Sequence, residues 1–382
     1  MRFLSFLSRF DTVTILRGVA CLIIIAIHAP IPSLLIDSQV GFLLTAIGFI
    51  AISMFFFLSG FVLGKGYLSN KYQLTFPGIL KFYGRRIKKI APIYYLIILI
   101  LFTLTPKTTP IRIIDIVRLL TFTATPKITI YSSSYLWFVS TIMQLYFLAP
   151  VGFLILKTIK TQKLRLRIIL FITVLIFGIL VKSAILFNAA NEILNTSWQM
   201  NIDIFALGML LAASNTDVYT VLKTKPRMFR GLLLVMTFTI FFVLYLFGSI
   251  YIHKSATQTL KSTHLDIVMP FTAILISSIV LSVFPIRRVI PNLQKNSILT
   301  SAVVVPQIFL QTIGLYSYKI YLLHQPLFSI LNLPCSPICT VLMFIKNITT
   351  ITVIAVVISV TFDIVTVGLK MLFVRVKNLY LS

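Results

Sequence analysis

Two ionisable residues interrupt an apolar stretch near the start of the chain. Arg17 and His28 bracket "RGVACLIIIAIH", eleven positions apart. In an α-helix eleven residues turn through about 1100°, close to three whole turns, and rise about 16 Å. A guanidinium and an imidazole on this stripe share one face at two depths. The guanidinium is a fork for carboxylate or phosphate oxygens. A neutral imidazole can take a proton from a hydroxyl, or attack a carbonyl itself. An ionisable side chain at membrane depth costs roughly 3 kcal/mol and therefore faces a protein interior or a wet cavity. The plain alternatives are a snorkelling arginine anchor and a packed, hydrogen-bonded histidine.

Other polar intrusions follow. "FFFLSGFVLGKGY" carries Ser59 and Gly60, a serine beside a small residue suited to helix packing. "FYGRRIKKIAPIYYL" concentrates Arg85, Arg86, Lys88 and Lys89 before Pro92, as a phosphate-binding patch or a topogenic one. "SSYLWFVSTIMQLYFLAP" places Trp137 at the start of an apolar run, and "GLYSYKIYLLHQPLF" places Tyr318, Lys319 and His324 in another. Two histidines from different apolar runs at similar depth point to one shared chamber. His253 and His264 read as solvated residues of an outer loop.

The elements that must position these groups are membrane helices. The 382 residues are 58% hydrophobic and only 11% charged, with mean hydropathy +1.02. A soluble domain averages about 25% charged residues, so this chain cannot cover a water-facing surface. Several apolar runs approach the ~20 residues that cross a bilayer core. The expected fold is an all-α polytopic membrane protein of about ten spans, near 13–31, 41–63, 91–105, 135–156, 168–187, 200–213, 231–252, 266–285, 310–332 and 345–369. Segment 297–314 reads as ambiguous, with a re-entrant piece as one option. No cleavable leader is evident, and the first run reads as a retained span.

The net charge of +26 has a topological explanation. With both termini in the cytoplasm, the inner loops and tails hold about three times as many Lys and Arg as the outer ones, where Lys107, Arg112, Arg118, Lys127 and Lys182 are examples. This makes nucleic acid an unneeded partner. The whole of 1–382 reads as one integral-membrane unit without a separate soluble domain. The three cysteines form no metal-ligand pattern, and Cys335 and Cys339 are either a pair or two free thiols.

In order, these motifs resemble the membrane-bound acyltransferase 3 family, whose members acylate bacterial surface polysaccharides and related acceptors. The resemblance runs over nearly the whole chain. Its Arg-ten-His motif matches Arg17 to His28, its Phe-rich Ser-Gly motif matches "FFFLSGFVLG", and its basic motif matches "RIKKIAP" with Lys89 in place of a second Arg. Its Leu-Trp-Phe segment matches "LWFVSTIMQLYFLAP" without the Glu of many members, and its last motif matches "SYKIYLLHQPL" with Lys319 for the usual Gly. A segment that often has an Arg before the Phe here has Asn201 and Asp203. The resemblance implies a multi-pass protein of the inner (plasma) membrane that transfers an acyl group, acetyl in the simplest case, from cytosolic acyl-CoA without a metal. It implies a carbohydrate or glycolipid acceptor such as lipopolysaccharide O-antigen. It implies His28 and Arg17 as catalytic residues, Arg85, Arg86, Lys89 and Ser59 toward acetyl-CoA, and Trp137, Tyr318 and His324 in the acceptor chamber. Two other classes remain open from the residues alone: a transporter using Arg17 and His28 as a relay, and a scaffold without catalysis.

Overall fold

A computed structural model describes residues 9–29, 39–130, 133–188, 196–224, 231, 258–284, 287–289, 297–331 and 341–380. The helices are α1 (Thr12–His28), α2 (Gln39–Leu68), α3 (Phe76–Leu104), α4 (Ile113–Leu120), α5 (Trp137–Ile159), α6 (Leu164–Asn188), α7 (Ile202–Thr224), α8 (Gln258–Val283), α9 (Ser297–Leu331) and α10 (Val341–Tyr380). Two three-residue strands, β1 (Arg9–Asp11) and β2 (Arg287–Val289), pair antiparallel ahead of α1. Asp11 then caps α1 by accepting from the Thr14 amide.

Among the described residues, six segments are long and apolar enough to cross a membrane: Ala46–Leu68, Phe76–Leu104, Ser134–Ile159, Leu164–Ala184, Ile202–Thr224 and Leu342–Gly368. Thr12–His28 and Val268–Val283 are shorter apolar helices. The fold is thus multi-pass and helical. The expected seventh span, 231–252, lies outside the described residues apart from residue 231, as do Cys335, Cys339 and His253.

Several boundaries differ from expectation. The third span does not begin at 91. Thr75 caps α3 with its hydroxyl, Pro77 sits in the first turn, and Pro92 lies inside the helix. The basic cluster is therefore helical and faces protein on one side. Segment 297–314 is the first half of α9 and runs unbroken into the ninth span. His264 falls inside α8 rather than in a loop. Lys182 is not a loop residue: it is buried in α6 and pairs with Asp203 of α7 at 2.8 Å. Lys319 of α9 pairs likewise with Asp363 of α10. Charges this deep need partners, and each of these lysines has one across a helix boundary.

Helix α2 is the centre of the bundle and packs against α1, α5, α7 and α8. Phe56, Phe57 and Leu58 are fully buried in it. Helix α9 packs along α1 and also touches α3 and α10. The outer apolar faces, such as Ile176, Phe177 and Leu180 of α6, are exposed as lipid-facing residues are.

Glycines set the two tightest crossings. A Cβ on Gly60 would fall on the Phe205 carbonyl, and one on Gly208 on the Phe57 carbonyl, so α2 and α7 meet backbone to backbone. A Cβ on Gly18 would fall on the Leu310 carbonyl, and one on Gly314 on the Thr14 carbonyl, so α1 and α9 do the same. Ten residues separate Gly18 from His28, and ten separate Gly314 from His324. The Cys21 thiol reaches the Ser317 carbonyl at 3.8 Å, and the His28 and His324 rings meet at 5.0 Å. The two helices therefore run parallel in a constant register over about 15 Å.

The segment after α3 is tied down by one carboxylate. Asp115 is fully buried. It accepts from Arg112 Nε and Nη2 at 2.9 and 3.0 Å and from the Thr129 amide and hydroxyl at 3.2 and 2.8 Å. Burial alone would raise this carboxyl, but the hydrogen bonds from Arg112 and Thr129 outweigh it and hold the group below the usual carboxylate range. Helix α4 is further pinned through its Leu119 and Leu120 carbonyls to the Tyr94 and Tyr95 hydroxyls of α3.

Two predictions follow from this packing. Gly314→Val has no side chain to displace, only backbone, and overpacking costs about 1–3 kcal/mol. Its thermal unfolding midpoint in detergent is expected to fall, and an unchanged midpoint would contradict the close crossing. The Asp115 carboxyl lies lower folded than unfolded, so its stabilisation is complete above the unfolded value, near pH 4, and fades as pH falls through the folded value. The hydrogen-exchange protection of residues 113–130, taken relative to the intrinsic rate at each pH, is expected to fall on acidification through that window, and in Asp115→Asn to be lower at neutral pH and flat across it.

Candidate functional site

The α1/α9 register brings the two ends of the Arg17–His28 stripe against two stretches of α9. At the Arg17 end lies a cavity of about 300 Å³. Its walls are Arg17 from α1, Phe55, Ser59, Val62 and Leu63 from α2, Lys71 and Tyr72 from the turn after α2, and Arg85, Arg86, Lys89 and Ile90 from α3. Phe138, Ile142 and Tyr146 of α5 and Ser317, Tyr318 and Tyr321 of α9 complete it. Six residues expected from sequence thus converge: Arg17, Ser59, Arg85, Arg86, Lys89 and Tyr318. Among the described residues five cations line the space and no carboxylate does. Such a lining favours an anion, because each positive group raises the cost of its neighbours until negative charge arrives.

Arg86 is the best supported of the five. Its Nη2 donates to the Tyr72 hydroxyl at 2.5 Å. Its guanidinium stands 5.6, 5.4 and 5.0 Å from the Tyr72, Phe82 and Tyr146 ring centres, a cationic group held by aromatic faces. Phe153 stacks on Tyr72 and Tyr67 behind it. The plane of the guanidinium is thereby fixed. Lys89 lines the same space with a point charge where a fork would be expected from the family pattern.

Ser59 and Gly60 have separate tasks: Gly60 makes the α2/α7 crossing, while Ser59, one position earlier, faces the cavity. Tyr318 is a wall rather than a proton donor to a ligand, since its hydroxyl donates to the Ile90 carbonyl at 2.8 Å.

The open space stops short of the imidazoles. Phe138 and Tyr321 line the cavity and touch each other at 4.9 Å between ring centres, and Tyr321 lies 5.3 Å from His324 on its far side. His28 and His324 are thus one aromatic layer beyond the cationic chamber. His28 Nδ1–H donates to the Ile24 carbonyl at 2.8 Å, and His324 Nδ1–H donates to the Tyr321 carbonyl. Each ring is therefore in the tautomer that leaves Nε2 as an acceptor. His324 is fully buried and its Nε2 has no hydrogen-bond partner. Trp137 is half-buried beside Phe56 and Phe138, off the cavity wall.

Lys71, Tyr72, Tyr135, Tyr146 and Tyr321 are not among the site residues expected from sequence, where Lys71 reads as an inner-loop charge and Tyr321 only as part of "SYKIYLLHQPL". Tyr321 lies three residues before His324 and so on its face, a signal present in the sequence. Tyr72 reaches Arg86 only because the chain reverses at 69–75, which no periodicity announces. Tyr135 donates to the Leu322 carbonyl at 2.8 Å and accepts at its own carbonyl from Tyr321 at 2.6 Å, latching the turn before α5 onto α9.

A helical bundle with membrane-spanning segments, a cationic chamber and a pair of histidines, His324 fully buried and His28 half-buried, defines the class. The chain matches the acyltransferase-3 family model, described as an acyltransferase domain, over residues 10–364, and it belongs to that family. No curated protein and no solved structure matches it.

Proposed function

We propose that this chain moves an acyl group, acetyl in the simplest case, from cytosolic acyl-CoA to a hydroxyl of a cell-envelope glycan or glycolipid such as lipopolysaccharide O-antigen. The observation that carries the reading is a chamber lined, among the described residues, by five cations and no carboxylate, separated by one aromatic layer from two imidazoles whose Nδ1 is committed to a backbone carbonyl and whose Nε2 is left as an acceptor. In this account the chain is one integral unit of the inner membrane, crossing ten times with both ends in the cytoplasm, and the cationic chamber opens inward.

The donor's phosphates belong with Lys71, Arg85, Arg86 and Lys89, the pantetheine arm between α2, α3 and α9. A space of about 300 Å³ suits a slim chain rather than a nucleotide, so the nucleotide stays at the mouth. Arg17 holds the polar part of the arm. The thioester reaches His28 once Phe138 and Tyr321 part. Nε2 of His28 takes the proton of the attacking hydroxyl, the hydroxyl oxygen bonds to the thioester carbon, and the carbon–sulfur bond breaks. The proton then passes from His28 to the departing thiolate. A covalent acyl-imidazole is the variant of the same step.

A relay in a transporter runs through a chain of titratable groups, Asp, Glu or His. Among the described residues, the acids of the candidate spans, Asp203, Asp217 and Asp363, are instead paired with Lys182, Arg167 and Lys319 at helix contacts off the chamber wall. That favours group transfer over ion movement.

The test is transfer of radiolabel from acetyl-CoA to glycan in vesicles. His28→Ala is expected to remove transfer, by a factor of about 10² or more, while still inserting. A fully active His28→Ala protein ends the proposal. Arg17→Ala is expected to raise KM for acetyl-CoA about tenfold or more, the loss of a charge-assisted contact, and unchanged donor kinetics would remove Arg17 from that role. Solute or proton flux without labelled glycan would point to the transporter.

A further inference from the structure

The buried, unpartnered Nε2 of His324 has no task in the scheme above. A buried acceptor without a donor costs about 1–3 kcal/mol, and such a group in a packed site calls for an explanation. Its neighbours narrow the explanation. From α1 the His28 ring meets it at 5.0 Å, edge to face at 66°. From the turn before α5, Tyr135 lies at 5.2 Å, and from α9 itself Tyr321 lies at 5.3 Å and Phe328 at 6.5 Å. The Tyr135 and Tyr321 hydroxyls are already committed to the Leu322 and Tyr135 carbonyls, so neither supplies the missing donor. Helices α2, α8 and α10 also pack against α1, and among the described residues neither imidazole makes an ion pair or a hydrogen bond to another side chain. Among the described residues that touch the ring, the group that can become a donor here is His28, at the moment it gains a proton on Nε2.

We propose that His28 and His324 form a proton-holding pair, in which the Nε2–H that His28 acquires from the acceptor hydroxyl is received by the Nε2 lone pair of His324. This rests on the acyl-transfer reading for where the proton comes from, and on the α1/α9 register for the pairing. The balance is simple. Before transfer each ring donates its Nδ1–H to its own helix, to Ile24 and Tyr321 respectively, and both Nε2 atoms are bare. After transfer His28 carries two N–H groups, one on Ile24 and one on His324, and the hydroxyl oxygen is bonded to the acyl carbon. The proton leaves for the thiolate and the pair returns to its first state. The hydrogen bond exists only when His28 is charged, so it stabilises the charged state and not the resting one. His324 acts through His28 and is a positioning residue.

The experiment compares His324→Phe, which keeps a ring and removes the acceptor, with His324→Gln, which keeps an acceptor oxygen. In vesicles with acetyl-CoA, the phenylalanine variant is expected to lose about tenfold or more in kcat and to move the acid limb of kcat down by about one pH unit, because His28 becomes a weaker base. Its KM for acetyl-CoA stays within about twofold of wild type, since the donor contacts are elsewhere. The glutamine variant is expected to recover most of both changes. Equal losses in the two variants with an unmoved acid limb would overturn the pair and leave His324 a packing residue. The chain has four histidines, so imidazole nitrogen signals of the ¹⁵N-histidine-labelled protein give a second readout without turnover. His28 and His324 are expected to titrate as a coupled pair in the wild-type protein, which decides the matter if the phenylalanine variant does not insert. Coupled titration without any acyl transfer would sink the functional reading and keep the pair. Transfer with two independent titrations would do the reverse.

Discussion

The backbone contact between α1 and α9 is the constraint on which the site depends. Gly18 and Gly314 allow the helices to touch without side chains between them, and from that point the two run parallel in step. Everything placed ten residues further on each helix must then meet, and that is where His28 and His324 stand. Near the crossing itself, Arg17 faces Ser317 and Tyr318 across the cavity. One contact between two residues without side chains thus sets the depth of both chemical groups. The second glycine crossing, Gly60 with Gly208, does the same for α2 and α7 and turns Ser59 inward.

The chamber is electrostatically unfinished. Among the described residues, cations from α1, α3 and the turn after α2 converge without a carboxylate on the wall, while Asp203, Asp217 and Asp363 join α6 to α7 and α9 to α10. Aromatic faces rather than counter-ions hold Arg86. Rings can fix a guanidinium's position without neutralising it, so the charge stays available to a ligand. A salt bridge in the same place would have held Arg86 equally well and cancelled the attraction for phosphate.

Between the cations and the imidazoles lies a layer of rings. Phe138 and Tyr321 close the chamber at its far end, and the Tyr135–Tyr321 exchange of hydrogen bonds latches that closure to α9. The separation has a chemical use in the proposed reaction, since water reaching a thioester at the base would hydrolyse it. The Asp115 clamp orders the segment that leads into this turn, with Ala124 donating to the Ser140 hydroxyl of α5 as a further tie.

Much was legible from residues alone. Continuous apolar runs and the scarcity of charge determine a helical membrane protein, because lipid admits only helices and closed barrels, and barrel strands are shorter and alternate in polarity. The spacing of Arg17 and His28 determines a shared stripe, since helix geometry is local. Six of the cavity residues announced themselves as polar groups in apolar runs, which membrane energetics makes conspicuous. The tertiary structure decided the rest. The partners of Lys182 and Lys319, the aromatic cage of Arg86, the start of α3 ahead of the basic cluster and the meeting of His28 with His324 all depend on which helices touch and in what register. Periodicity specifies which face of a helix is apolar but not its neighbour, and register between helices is set by contacts hundreds of residues apart in the chain, such as Gly18 on Gly314.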